Sequence, residues 1–304
     1  MLKNALAASL VAFCSLAWSA PDFDSAHALV VDRATGQVLY EKNANQPAPI
    51  ASMTKLMTAM VVLDAGLNPY EVIAISDEDR DRIKGTQSGV PVGSMFTRRT
   101  LTTLALMSSD NRAAHALART YPGGMPAFRA AVERKAASLG LKGTHIGEPT
   151  GLSPNNRATA YDMAKIVQAA GAYPEIVRAS TQRSEVVLVN GQPRTFRNTN
   201  GLVGAPGWDV SVSKTGFISE AGRCVTMQIE AAGRDVLVVL MGARHTANRT
   251  LDALNIHRLL HGREPTVLAK AAPPTVKTVA QRTPKAQRPK MVVALRNKQG
   301  SKRV

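Results

Sequence analysis

Two apolar runs in "ALVVDRATGQVLYEKN", separated by Thr35-Gly36, predict an opening β-hairpin. The pattern turns helical in "PIASMTKLMTAMVVLDAG", Pro49 to Gly66, where Leu56, Met57, Met60, Val61 and Val62 back a polar mouth. "EVIAIS" predicts a short strand, and "RRTLTTLALMSSDNRAAHALARTY" predicts two helical segments interrupted at Ser108 to Asn111. The amphipathic "MPAFRAAVERKAASLGL" predicts a helix ended by Gly140, and Thr159 with Asp162 predicts a capping box for "YDMAKIVQAAG". Beyond it the period shortens. Asn190-Gly191 marks a hairpin turn, and "WDVSVSKTGF", "CVTMQIE" and "DVLVVLMGA" predict three further strands, the last two joined through Ala231 to Arg234. "RTLDALNIHRLL" predicts a closing helix. Strands at both ends with helices between them predict an α/β (α+β) architecture: a mixed, largely antiparallel sheet carrying helices on its faces, plus a helical lobe.

With 304 residues, 44% of them hydrophobic, the chain can bury a substantial core. Residues 1–20 read as a signal peptide: Lys3 gives a positive start, "ALAASLVAFCSLAW" is a short apolar run, and Ala17 and Ser19 offer small residues for cleavage. The run is shorter than the roughly 20 apolar residues of a membrane span. The product is therefore expected in the periplasm, with a folded domain over residues 21–264. Residues 265–304 carry ten Lys and Arg and no acid, so this tail supplies +10 of the formal +16. Its Pro, Ala and Lys content without a hydrophobic period predicts a disordered basic extension, suited to electrostatic contact with anionic envelope polymers. Aromatic residues at 4%, together with export, argue against a nucleic-acid partner. Once the signal is removed Cys224 is the only cysteine, which excludes an intramolecular disulfide and places a small core residue in an apolar run.

Serine attack on an amide needs a base, donors for the oxyanion and a proton for the leaving amine. The six histidines, 27, 115, 145, 245, 257 and 261, lie apart from any serine in a nucleophile-elbow setting, so a Ser/His/Asp triad has no support. His257 and His261 share a helical face without an evident third ligand, and no metal or cofactor is expected. Lysine can replace histidine if burial or a nearby cation lowers its proton affinity from about 10.4. Ser52 and Lys55, at i and i+3, share one helical face, and the helix amino terminus favours both a neutral amine and a nascent alkoxide. The same serine could simply cap the helix. Two later motifs weigh against that alternative: Ser109-Asp110-Asn111 at the break between helices and Lys214-Thr215-Gly216 at a strand end. The triplet in this order is the signature of penicillin-binding proteins and class A β-lactamases.

On these motifs the chain resembles the low-molecular-mass penicillin-binding proteins, serine D,D-peptidases of the β-lactamase/D,D-peptidase superfamily. "PIASMTKLMTAMVVLDA", "LALMSSDNRAA", "EPTGLS", "FRNTN" and "KTGF" are most similar to the D-alanyl-D-alanine endopeptidase branch, that of penicillin-binding protein seven, from about Ala28 to Gly262. The resemblance implies Ser52 as acylated nucleophile, Lys55 as base, Ser109 as proton relay, and Asn111 as holder of the lysine or of the substrate amide. It implies that Lys214 keeps the potential positive, Thr215 binds the acyl-acceptor side, Gly216 admits substrate to the strand edge, and the N–H groups of Ser52 and Phe217 form the oxyanion hole. The implied reaction cleaves D-alanyl bonds of peptidoglycan cross-links through an acyl-enzyme, with β-lactams as inhibitors. D-alanyl-D-alanine carboxypeptidase activity is the alternative. A class A-like β-lactamase is a further one, because Glu148 in "GEPTGLS" falls where those enzymes keep a water-activating glutamate, although Leu152 stands where they have asparagine. A non-catalytic envelope-binding scaffold is disfavoured by three intact motifs. The second β-rich domain and amphipathic anchor of many carboxypeptidases are not expected, since the folded region reads as ending near Gly262.

Overall fold

A computed structural model describes residues 23–266. The expected signal peptide, and the basic tail beyond Thr266, lie outside the described residues. In chain order the elements are β1 (His27–Asp32), β2 (Val38–Lys42), β3 (Ala48–Pro49), α1 (Thr54–Asp64), β4 (Val72–Ala74), β5 (Met95–Thr97), α2 (Arg98–Met107), α3 (Asn111–Arg119) and α4 (Gly124–Ser138). They continue with β6 (Arg157–Ala158), α5 (Ala160–Ala170), α6 (Pro174–Thr181), β7 (Ser184–Val189), β8 (Gln192–Arg197), β9 (Asp209–Ile218), β10 (Gly222–Ala231), β11 (Arg234–Ala243) and α7 (Thr246–Leu260).

The main sheet has five strands in the order β2-β1-β11-β10-β9. Every neighbouring pair is antiparallel, in line with the largely antiparallel sheet expected and without any parallel pair. Tight turns join β9 to β10 and β10 to β11, and antiparallel pairing is what such short connections allow. The two ends of the fold close on each other where β1 pairs β11 from His27↔Met241 to Asp32↔Val236.

"DVLVVLMGA" is continuously apolar because both faces of β11 are covered. Val236, Val238 and Leu240 join Ala253 and Ile256 of α7 on one face, while Leu237, Val239 and Met241 join the larger core on the other. That larger core is built around α1. Its residues Thr54 to Val62 are all buried, and it touches α2, α3, α4, α5 and α6, the environment expected of a helix apolar on every side. Each fully buried Leu or Met there contributes roughly 1.5–3 kcal/mol.

Several details depart from the sequence reading. The short helix α6, with Pro174 at its first turn, was not anticipated. The Asn190-Gly191 hairpin β7–β8 forms its own two-stranded sheet, and β4 pairs with the unanticipated β5. Thr159 Oγ1 accepts the Asp162 N–H, but the Asp162 carboxylate turns to Gly143 N–H and Thr144 Oγ1, so the predicted box is only a one-sided cap.

Two consequences position the site. Strand β9 ends the sheet, and the 3-10 turn Ala51–Met53 that leads into α1 packs against the face of β9 and β10 at Gly216. The α2–α3 break brings Asn111 to the same place, where its Oδ1 meets Lys55.

Candidate active site

The turn carrying Ser52 is packed backbone against backbone. Ala51 holds a left-handed φ of 46°, a conformation costly for a residue with a side chain. Two glycines press on it. A Cβ on Gly151, whose own φ is +82°, would stand 1.8 Å from Ala51 O. A Cβ on Gly216 would stand 3.0 Å from Ile50 O and 3.1 Å from Ser52 N. Gly216 thus makes room for the turn bearing Ser52. The capping alternative for Ser52 also fails: the N-cap of α1 is Met53, and neither that helix nor the 3-10 turn before it has a side-chain cap.

Lys55 is fully buried, and its Nζ lies 2.7 Å from each of Ser52 Oγ, Asn111 Oδ1 and Thr150 O. Burial pushes its ammonium down from 10.5 to about 8, and the negative charges of Glu148, Asp110 and Asp81 limit the fall. A neutral amine has two N–H donors and one lone pair. The Asn111 and Thr150 oxygens can only accept, so they take the two N–H groups and leave the lone pair for the Ser52 hydroxyl. Asn111 is placed by Asp110, which caps α3 through Ala113 N–H and also receives Ser88 Oγ and Gly89 N–H. Ser109 is left-handed at φ 61°, and its hydroxyl makes no hydrogen bond to Lys55 or Ser52.

Glu148 is occupied by its own loop. Its carboxylate accepts from Thr150 N–H, Thr150 Oγ1, Gly151 N–H, Ser153 N–H and Asn156 Nδ2. That clamp aims two carbonyls at α1, Thr150 O at Lys55 and Pro149 O at Thr58 Oγ1. These five donors fill the acceptor sites of the carboxylate, so at least one would have to be surrendered before it could activate a water.

The opposite wall is β9. Lys214 is fully buried with Nζ 3.0 Å from Thr215 O, and burial, then the Lys55 charge and Arg249, hold its ammonium well below its ordinary value. Burial therefore disfavours the charged form of Lys214. Thr215 Oγ1 pairs with Thr199 Oγ1 at 2.6 Å, while Thr199 N–H donates to Met107 O and Asn200 Nδ2 to Ser213 Oγ. Phe217 is 48% exposed, with the Arg223 guanidinium 3.5 Å from its ring centroid. An ion pair between Lys84 and Glu220 joins the loop after residue 79 to the turn beyond β9, linking the two walls.

Ser52, Lys55 and Asn111 meet directly, with Lys214 close enough for its charge to couple to Lys55. The sequence reading missed the parts played by Thr150 and Thr199. Both lie in blocks already noted for resemblance, "EPTGLS" and "FRNTN", but a backbone carbonyl and a bracing hydroxyl leave no chemical signature in residue type. Elsewhere, Cys224 is buried with its thiol pushed up to about 11, and His257 stacks between Trp208 and His261 at 4.7 and 4.4 Å. Among the described residues no group of three His, Cys, Asp or Glu could hold a metal.

A family described as D-alanyl-D-alanine carboxypeptidase, peptidase S11, matches residues 15–245. The chain belongs to the S11 peptidases. This S11 peptidase is 42% identical over 250 residues to a D-alanyl-D-alanine endopeptidase of Pseudomonas aeruginosa, covering 82% of this chain and 81% of that one. It is 42% identical over 227 residues to the D-alanyl-D-alanine endopeptidase of Escherichia coli, covering 74% and 73%. The crystal structure of the Streptomyces K15 DD-transpeptidase matches with a TM-score of 0.74 at 26% identity, covering 80% of this chain and 98% of that one. The S11 peptidase is thus a serine-type D-Ala-D-Ala peptidase with the β-lactamase/D,D-peptidase fold.

Proposed function

We propose that the enzyme opens peptidoglycan cross-links as a D-alanyl-D-alanine endopeptidase, through an ester on Ser52. The observation that carries this reading is the 2.7 Å approach of a buried, readily neutral Lys55 amine to the Ser52 hydroxyl. Lys55 takes the hydroxyl proton as Ser52 Oγ attacks the D-alanyl carbonyl carbon. The oxyanion is held by the N–H groups of Ser52 and Phe217. As the C–N bond breaks, the proton passes from Lys55 through the Ser109 hydroxyl to the leaving amine. Water then attacks the ester and gives a proton to Lys55, which returns it to the departing Ser52 Oγ as the C–O bond breaks, and the acid product leaves as its carboxylate. Asn111 holds the lysine. Lys214, Thr215 and Gly216 form the opposite wall, and substrate adds as a strand along the outer edge of β9.

β-Lactams acylate the same serine. The five donors on Glu148 speak against rapid hydrolysis of that adduct, and so against a β-lactamase. The enzyme works in the periplasm, where the basic tail holds anionic envelope polymer; among the described residues no helix is long and apolar enough to cross a membrane. The likeness to two endopeptidases at 42% identity supports cross-links over stem termini as substrate. Digestion of purified muropeptides with mass analysis tests this. Loss of cross-linked dimers is expected, abolished by Ser52→Ala. A mass decrease of one alanine in monomers, with dimers intact, would establish a carboxypeptidase in its place.

A further inference from the structure

An asparagine amide can turn either its oxygen or its NH2 toward a neighbour, and at Asn111 the choice decides what Lys55 can do. An oxygen takes an N–H from the amine and leaves the lone pair for Ser52; an NH2 would compete for that lone pair. The oxygen-inward choice is enforced from outside the three motifs. Asn111 Nδ2 lies 2.8 Å from Thr86 Oγ1, and Thr86 Oγ1 lies 2.6 Å from Asp81 Oδ2. A carboxylate only accepts, so the single hydroxyl proton of Thr86 goes to Asp81. The Thr86 oxygen then faces Asn111 as an acceptor, draws its NH2 outward and leaves Oδ1 on Lys55 at 2.7 Å.

Asp81 is itself anchored. Thr86 N–H donates to Oδ2, and Ile83 N–H and Lys84 N–H donate to Oδ1. Burial opposes its ionisation, but these bonds and the Thr86 hydroxyl outweigh it and hold the carboxyl below its ordinary range, so the acceptor at the end of the chain stays ionised.

We propose that Asp81 and Thr86 are positioning residues for the reaction: the directed chain Asp81–Thr86–Asn111 fixes the orientation of the Asn111 amide and thereby aims the Lys55 lone pair at Ser52. The proposal rests on Ser52 and Lys55 being the reacting pair. Three charged groups act on Lys55: Glu148 from the loop before β6, Asp110 from the α2–α3 break, and Asp81; Lys214 from β9 faces the same amine and has its own ammonium lowered by burial and by the Lys55 charge. Asp81 reaches the amine through side-chain hydrogen bonds by way of Thr86 and Asn111, whereas Glu148 reaches it through the Thr150–Gly151 peptide group.

The test is the pH dependence of Ser52 acylation by a fluorescent penicillin in the wild type, Thr86→Val and Thr86→Ser, with melting temperatures alongside. In Thr86→Val the amide loses its outward acceptor and turns its NH2 inward, which disfavours the ammonium and occupies the lone pair. Acylation should fall about tenfold, and the acid limb should move to lower pH by about half a unit. Thr86→Ser should restore both. A purely structural role would lower the melting temperature and the rate while leaving the acid limb in place, and that result overturns the proposal, as does an unchanged rate and limb. Wild-type protein that takes no label at Ser52 would instead sink the reading of the reacting pair, and this inference with it.

Discussion

The sharpest prediction concerns the two glycines that squeeze the Ser52 turn. In Gly151→Ala the new methyl would begin 1.8 Å from Ala51 O, 2.2 Å from Ala51 C and 2.8 Å from Ser52 N. An ordinary carbon–oxygen contact is about 3.3 Å, so the loop and the turn must part by about 1.5 Å. The residue also has to hold φ +82°, which costs about 1–2 kcal/mol with a Cβ. Thr150 O, one residue away, is a Lys55 acceptor, so the displacement moves either Lys55 or Ser52 off its partner. Misplacement of about 1 Å is worth on the order of a hundredfold in rate. Gly216→Ala asks far less: its contacts begin at 3.0–3.1 Å, a shift of a few tenths of an ångström relieves them, and its φ is not left-handed. Stopped-flow acylation by a fluorescent penicillin, paired with thermal melting, should show Gly151→Ala slowed about a hundredfold or more with a melting temperature lower by several degrees. Gly216→Ala should lose about tenfold or less. A Gly151→Ala enzyme within about threefold of wild type, or a Gly216→Ala enzyme slower than it, would refute the packing argument.

Three further outcomes follow from the site. Because Lys55 is held at about 8, about a tenth of it is neutral at pH 7 and half at pH 8, so acylation should rise with pH through a midpoint near 8; a midpoint near 10.5 would mean that burial does not act as described. Glu148→Gln puts an NH2 among five donors, so the melting temperature should drop while the lifetime of the penicilloyl-enzyme stays long; a stable variant with an altered deacylation rate would instead implicate Glu148 in water activation. Cys224, buried with a thiol raised to about 11, should resist a thiol reagent at pH 8 until denaturant is added, and rapid labelling of native protein would contradict its place in the core.

Much of this was legible in the chain because side-chain chemistry and periodicity carry it. The apolar run of β11 announced a strand, and the i, i+3 spacing of Ser52 and Lys55 announced a shared helical surface. What escaped was written in backbone. Thr150 contributes a carbonyl, which every residue type possesses, and Gly151 contributes an absent Cβ whose neighbour lies 100 positions earlier. Gly216 was singled out, but the partner that demands its lack of a side chain is the turn at Ile50 to Ser52, and no local pattern couples those segments. The helix α6 escaped because eight residues with Ile176, Ala179 and Ser180 buried give too short a stripe to establish a period. Thr86 is an ordinary loop threonine until Asp81 and Asn111 lie on either side of it.

The bridge from Lys84 to Glu220 ties the loop after residue 79 to the turn beyond β9 with a fastening whose two halves are both partly wet. Such a clasp is worth about 1 kcal/mol or less and weakens as salt rises, so ordinary thermal agitation undoes it many times before any slow chemistry. A peptide woven into a covalent net has no loose end to feed through a closed ring. A clasp this feeble lets the strand drop in from the side, and ionic strength should tune how quickly the net is admitted while leaving the bond-breaking step untouched.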